Sequence, residues 1–448
     1  MLAFLGFLTV ALLLAAVMTK RMSPTGALIF IPTVTGVLAS FFIPGEDGIV
    51  HILENIKALG GYIAGSSGIG SVASTGVMFV FSILFFGVLT DAGTFRPIIR
   101  GVLNMIGTDP VKITVGTALL AAAVHLDGSG AVTFLVCVPA LLPIYDAVNM
   151  RRSTLATVVA LSAGTINILP WGGPTIRAAS AMGVDVMTLF TPITVPFFFG
   201  MLTVMAIAAG LGLQEKKHLA VASSAVHYTE PPLSEEAAAL LRPKLFWVNI
   251  TLILGAVLCL LFSGFAPAVV FMLFFVLAVM INYPDPKEQA RRVDAHAKEA
   301  LMMVSVLFAA GAFTGIMKGT GMISEMAVAL VGILPDALGR MFPLIIGVLS
   351  MPASLLFDPD SFYYGVLPVL SNTAEAFGTE GIHIARAAIL GQMTTGFPVS
   401  PLTASTFLLT GLAGIDLGEH QKKTIPFAFL VTLVMLAVAL LTGAIAIS

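Results

Sequence analysis

The chain has 448 residues, of which 58 % are hydrophobic and only 10 % charged. A soluble domain carries about 25 % charged residues, and its core grows only with volume, so this much apolar surface belongs against lipid. The net charge of −2 provides no basic stripe for nucleic acid, and Cys137 and Cys259 lie in apolar runs without a CxxC or Cys/His cluster, which argues against a disulfide or zinc site.

The first apolar run, 2–18, is followed rather than preceded by its charges, Lys20 and Arg21. A signal peptide has the reverse order, so this run reads as a retained first span with its N-terminus outside. Further runs long enough to span, near 20 residues, fall at about 25–43, 72–90, 154–180, 186–211, 245–264, 266–282, 300–318, 383–411 and 425–447. Two more apolar stretches, about 113–145 and 341–370, are interrupted by polar residues and are too short for two crossings with a loop. Each is expected to form a re-entrant hairpin. With both termini outside, this layout puts all but five of the 22 Lys and Arg residues on the cytoplasmic side, as the positive-inside rule requires. The exceptions are Lys57, Arg177, Lys318, Arg340 and Arg386. A full crossing at 113–145 would instead place Arg151 and Arg152 outside.

Residues 212–244 form the one long polar segment, with Glu215, Lys216, Lys217, Pro231, Pro232, Glu235 and Glu236. It reads as a cytoplasmic linker carrying a short amphipathic helix near Ser234–Leu241. The halves on either side echo each other. Gly87 to Gly93 matches Gly315 to Gly321, Pro170 matches Pro398 and Thr175 matches Thr403, all at one offset of 228 residues. Asp127 and Asp358 follow at nearly the same separation. Five spans per half is an odd number, so the halves run in opposite directions. The expected fold is therefore an all-α membrane protein of two inverted repeats, each with five transmembrane helices and one hairpin, and with broken helices at the midplane. The boundaries are 1–213 for the first repeat, 214–243 for the linker and 244–448 for the second repeat. Inverted repeats with discontinuous helices are the architecture of secondary transporters.

Four non-apolar interruptions lie at membrane depth: 125–133, 165–177, 358–364 and 394–403. Backbone there must be hydrogen-bonded or line a cavity. Gly128, Gly130, Pro170, Gly172, Gly173 and Gly396 open the backbone, freeing N–H groups for an anion and carbonyls for a cation. Asn167, Thr175, Ser129, Ser361, Tyr363, Thr394, Thr395, Ser400 and Thr403 add neutral ligands, and Trp171 and Arg177 complete the candidate substrate-binding set. Asp127, Asp358 and Asp360 are the candidate metal ligands or proton carriers, because an ionised carboxylate in lipid is costly. The plain alternatives are a packing kink at Pro170–Pro174, a helix cap at Asp127, an interface anchor at Arg177 or Trp171, and an interior histidine at His125.

The motifs H-L-D-G-S-G-A-V-T at 125–133, N-I-L-P-W-G-G-P-T-I-R-A at 167–178, D-S-F-Y-Y-G-V-L-P-V-L at 360–370, G-F-P-V-S-P-L-T-A-S-T at 396–406 and G-L-A-G-I-D-L-G-E-H-Q-K at 411–422 resemble the CitMHS family of citrate–metal symporters, in the ion transporter superfamily. The resemblance runs over essentially the whole chain. It implies proton-coupled uptake of citrate complexed with a divalent metal of the Mg or Ca type, which is co-substrate rather than cofactor, and no organic cofactor. It also implies scaffold and transport domains moving as an elevator, a homodimer, and residence in the bacterial inner membrane. The first tip departs from the family pattern at Ser129, where a second carboxylate often stands; this bears on metal preference, coupling and substrate. The nearest rival function is transport of another di- or tricarboxylate, with sodium in place of protons. A channel belongs to a different class, which saturable, gradient-dependent accumulation would exclude. No HExxH, GxSxG or paired-cysteine motif suggests an enzyme.

Overall fold

The computed structural model describes residues 1–447 apart from 20, 46–47, 99, 102–106, 108, 219–234, 333–338 and 340. The described residues form helices and turns without β-strands. Lys20, Arg340, Pro231, Pro232 and Ser234, on which some of the expectations above rest, lie outside the described residues.

The first half comprises α1 (Leu2–Met18), α2 (Pro24–Ala39), α3 (Ile52–Ala64), α4 (Ile69–Asp91), α5 (Pro110–Val124), α6 (Gly130–Ala147), α7 (Arg152–Ile166), α8 (Gly173–Met182) and α9 (Val186–His218). A short helix, α10 (Glu235–Leu240), follows where the amphipathic helix is expected. The second half comprises α11 (Phe246–Phe262), α12 (Pro267–Asn282), α13 (Pro286–Gly319), α14 (Met322–Val331), α15 (Phe342–Ala353), α16 (Leu367–Ala376), α17 (Gly381–Ile389), α18 (Ala404–Ala413) and α19 (Leu417–Leu441). Among the described residues, seven helical stretches are long and apolar enough to cross a membrane, and several shorter apolar helices accompany them.

The helices differ from those expected in several places. The helix expected to begin near 300 starts at Pro286, where Asp285 caps it by accepting from the Lys287 N–H at 3.1 Å. Its charged first turns are helical because a capped, proline-started helix extends through polar residues as readily as apolar ones. The two helices α3 and α14 carry charges and are too short for the spanning criterion, so hydropathy alone missed them. Residues 214–218 continue α9.

Each expected hairpin is helix–tip–helix: α5 and α6 around 125–129, and α15 and α16 around 354–366. Asp109 caps α5 through the N–H groups of Val111 and Lys112, and Pro110 starts it. The apolar runs 154–180 and 383–411 are each two helices separated by irregular backbone. Pro170 and Pro398 offer no N–H to continue a helix. At Gly172, an added Cβ would collide with the Asn167 carbonyl, so the break requires glycine there.

Packing crosses between the halves. The second helix of each half lies on the third long helix of the other, α2 on α13 and α12 on α4, while α4 packs along α13. Around them, α5, α7 and α19 pack on α9, and α15 packs on α17 and α19. The broken helices and hairpin arms pack on one another, and α8 and the first tip reach α4.

Candidate functional site

Both breaks and the first hairpin tip are tied into one unit. The His125–Asp127 turn ends at Gly128, whose φ of 78° is left-handed and suits glycine. Asp127 then accepts from the Ser129 N–H at 2.8 Å, and the Ser129 hydroxyl caps α6. The indole N–H of Trp171, in the first break, donates to the Leu126 carbonyl at 2.7 Å. Phe397, in the second break, stacks on His125 with centroids 5.8 Å apart and on Phe134 at 6.1 Å. The Asn167 amide donates to the Met393 carbonyl at 2.8 Å, joining break to break. Met393 itself has φ of 53°, uncommon for a side chain of that size, and it is held there by the Ser354 hydroxyl, which accepts its N–H at 2.9 Å.

The second hairpin closes on the same unit. Asp358 accepts the N–H groups of Asp360 and Ser361, both at 3.1 Å, while its other oxygen is buried without a partner. The second arm begins as a π-helical turn, Ser361–Val366, and the Tyr363 hydroxyl donates to the Gln392 carbonyl at 2.6 Å. Asp360 reaches across to Arg177 at 2.7 Å, with only 14 % and 13 % of the two side chains exposed.

These contacts frame a cavity of about 310 Å³, at the lower end of the roughly 300–1,000 Å³ seen for small-molecule sites. Of the residues singled out from sequence, Asp127, Gly128, Gly130, Asn167, Trp171, Gly173, Arg177 and Thr403 line it. Ser129 lines a small adjoining space instead. The remaining candidates do not line the cavity. Pro170 and Gly172 shape the break, and the hydroxyls of Thr175, Thr394, Thr395 and Ser400 bond to Ile168, Ile389, Thr432 and Ser354 respectively. Gly396 packs on Ser354, and Asp360 acts through Arg177. The opposite wall, Phe79, Ser82 and Ile83 of α4 with Met303 of α13, was not identified from sequence. These are ordinary residues of spanning helices, and only Ser82 interrupts an apolar pattern.

Two helix N-termini meet this cavity. Helix α8 enters through Gly173 and Pro174, α18 through Thr403 and Ser405, and neither has a side-chain cap. The Thr403 hydroxyl is buried and has no hydrogen-bond partner among the described residues. Uncapped N-termini carry free N–H groups and the positive end of the helix dipole. The cavity therefore offers Arg177 and two N-termini to an anion, and the Asp127 carboxylate to a cation.

A family model described as CitMHS, citrate transporter, matches residues 2–391. The chain belongs to this citrate transporter family. A citrate transporter of Bacillus subtilis is 41 % identical over 443 residues, covering 99 % of each chain. A Mg(2+)/citrate complex secondary transporter of the same organism is 41 % identical over 453 residues, covering all of both chains. Family and relatives alike are transporters, not enzymes. In fold, the chain is similar to the YdaH transporter of Alcanivorax borkumensis, with TM-score 0.60, 14 % identity and coverage of 99 % and 98 % of the two chains. MtrF of Neisseria gonorrhoeae gives TM-score 0.58 at 14 % identity, covering 93 % and 94 %.

Proposed function

We propose that this family member is a secondary active symporter that takes up citrate as a complex with a divalent cation, coupled to protons, by an elevator-type movement in the cell membrane. The observation that carries the reading is the convergence of Arg177 and two uncapped helix N-termini with Asp127 on a single cavity at the helix breaks. Citrate alone would meet Asp127 with like charge; a divalent cation between them turns that repulsion into attraction and lowers the charge to be desolvated. The relative named for a Mg(2+)/citrate complex supports the same substrate.

The elevator reading rests on the layering. One wall of the cavity belongs to α4 and α13, and the other to the hairpins and breaks, which are bonded to one another. The recurrence of helix order between the halves and the reciprocal packing of α2 on α13 and α12 on α4 support an inverted repeat. In this reading Asp127 ligates the metal, Asp358 serves the second tip, and the substrate's carboxylates take Arg177, Asn167 and the backbone of Gly173. Ser129, beside Asp127, favours one rival, a related di- or tricarboxylate with different cation coupling. Isotopic citrate uptake into proteoliposomes tests both, with divalent cation, proton and sodium gradients varied separately. Uptake that needs a divalent cation and a proton gradient is expected. Uptake driven by sodium and indifferent to divalent cations would establish the rival.

A further inference from the structure

A second cavity, of about 70 Å³, adjoins the central one, and Ile83 and Asp127 line both. Its other polar lining is Thr90 of α4, Ser129 of the first tip and His296 of α13. The space is wide enough for water.

His296 is fixed from two sides. Its Nε2 lies 3.0 Å from an Asp91 carboxylate oxygen, and the same oxygen is 3.1 Å from Arg292 Nη1. Arg292 Nε is in turn 2.9 Å from Glu288. The ring lies flat on Gly87, where an added Cβ would sit 2.6 Å from the ring Cγ. A carboxylate facing Nε2 takes the proton at that nitrogen, so the neutral imidazole carries its lone pair on Nδ1. Nδ1 has no protein partner among the described residues. The annex is thus lined by side chains that carry hydrogen-bond acceptors: the Asp127 carboxylate, the His296 imidazole with its acceptor Nδ1, and the hydroxyls of Thr90 and Ser129.

Acceptors of this kind suit a hydrated cation rather than an anion. Among the described residues, no three His, Cys, Asp or Glu side chains converge as direct metal ligands. The inner ligands of a transported cation then include oxygens of its carboxylate partner and of water. A small divalent cation keeps several waters when bound, and metal-bound water donates its hydrogen bonds. Building on the metal–carboxylate reading above, we propose that the annex receives the water ligands of the divalent cation in that complex. His296 Nδ1 accepts from one of them, and Asp91 is the positioning residue that sets the tautomer. The complex therefore sits with its cation toward Asp127 and His296, and its carboxylates toward Arg177 and the α8 and α18 N-termini. Metal discrimination is outer-sphere, through water.

The test is citrate uptake by the purified full-length protein in proteoliposomes, with Mg2+ and then with the larger Ca2+. Mg2+ holds its waters more tightly, so loss of a water acceptor harms it more. His296→Phe keeps a ring and removes the acceptor; the Mg-to-Ca ratio of kcat/KM is expected to fall about fivefold, the effect of roughly one hydrogen bond. His296→Asn keeps an acceptor oxygen and is expected to retain much of the preference. Thr90→Val, nearly isosteric, is expected to shift the ratio in the same direction and decides the matter if His296→Phe does not fold. An equal loss with both cations marks a packing role and overturns the proposal, as does a ratio unchanged in both His296→Phe and Thr90→Val. Wild-type uptake that needs no divalent cation overturns the metal–carboxylate reading itself, and this inference with it.

Discussion

Arg177 and Asp360 pair at 2.7 Å across the two halves, the guanidinium from the helix after the first break and the carboxylate from the second hairpin tip. The pair is mostly buried and Arg177 also lines the central cavity. One guanidinium therefore pairs with the second tip and faces the cavity.

Breaking one side of a buried pair leaves an uncompensated charge and costs about 3–5 kcal/mol. Asp360→Asn is expected to destabilise the protein to that degree, read as a lowered unfolding temperature in detergent. Replacing both partners, Arg177→Met with Asp360→Leu, is expected to recover most of the stability but not the transport. Arg177→Lys keeps the charge but loses the planar fork, and a rise in KM of about tenfold is expected in otherwise folded protein. A double variant as unstable as Asp360→Asn would argue against the pair as the cause.

The Asn167 amide bridges the two breaks through the Met393 carbonyl and lines the cavity. Asn167→Ala removes that donor, and citrate affinity should fall about tenfold, as for a lost buried hydrogen bond, with expression intact. Gly173 leaves room for Arg177: a Cβ there would come within 2.6 Å of its Nη1. Gly173→Ala is expected to displace the guanidinium and raise KM, and Gly173→Leu to abolish binding. Unchanged affinity in Asn167→Ala and Gly173→Leu alike would remove this site.

Asp127 and Asp358 each cap the turn that follows, by accepting backbone N–H groups. Asp127 has a second task if the proposal holds. Asp127→Asn is expected to weaken uptake of the metal–citrate complex and leave the pH dependence of residual uptake unaltered, as a ligand role demands. If instead the variant exchanges substrate but loses proton-driven accumulation, Asp127 is the proton carrier. Normal accumulation and metal dependence in both Asp127→Asn and Asp358→Asn would leave the two residues as caps alone.

The topology is open to labelling. Arg151 and Arg152, at the start of α7, pair with Glu215 at 2.7 Å and Asp146 at 2.8 Å. Arg152→Cys, in a background without Cys137 and Cys259, is expected to react with an impermeant thiol reagent only from the cytoplasmic side. Reaction from outside would mean that the first hairpin crosses the membrane.

Some of this was legible in the chain itself because a bilayer imposes one-dimensional rules. Apolar length, charge asymmetry, and the cost of Pro or Gly at membrane depth placed the long helices and the irregular backbone within 165–177 and 394–403 from residue order alone. Likewise Asp127, Asn167, Gly173 and Arg177 stand out as polar or open positions in apolar surroundings, and they line the cavity. Tertiary structure decided which candidates turn toward that cavity. Thr394, Thr395 and Ser400 look as suitable as Thr403, yet their hydroxyls bond to the Ile389 carbonyl, the Thr432 hydroxyl and the Ser354 carbonyl, because a polar group in a close-packed interior takes the nearest partner. The wall formed by Phe79, Ile83 and Met303, and the setting of His296 against Gly87 and Asp91, depend on how α4 and α13 pack on each other. Residues some 200 positions apart meet there, and neither hydropathy nor local spacing carries that information.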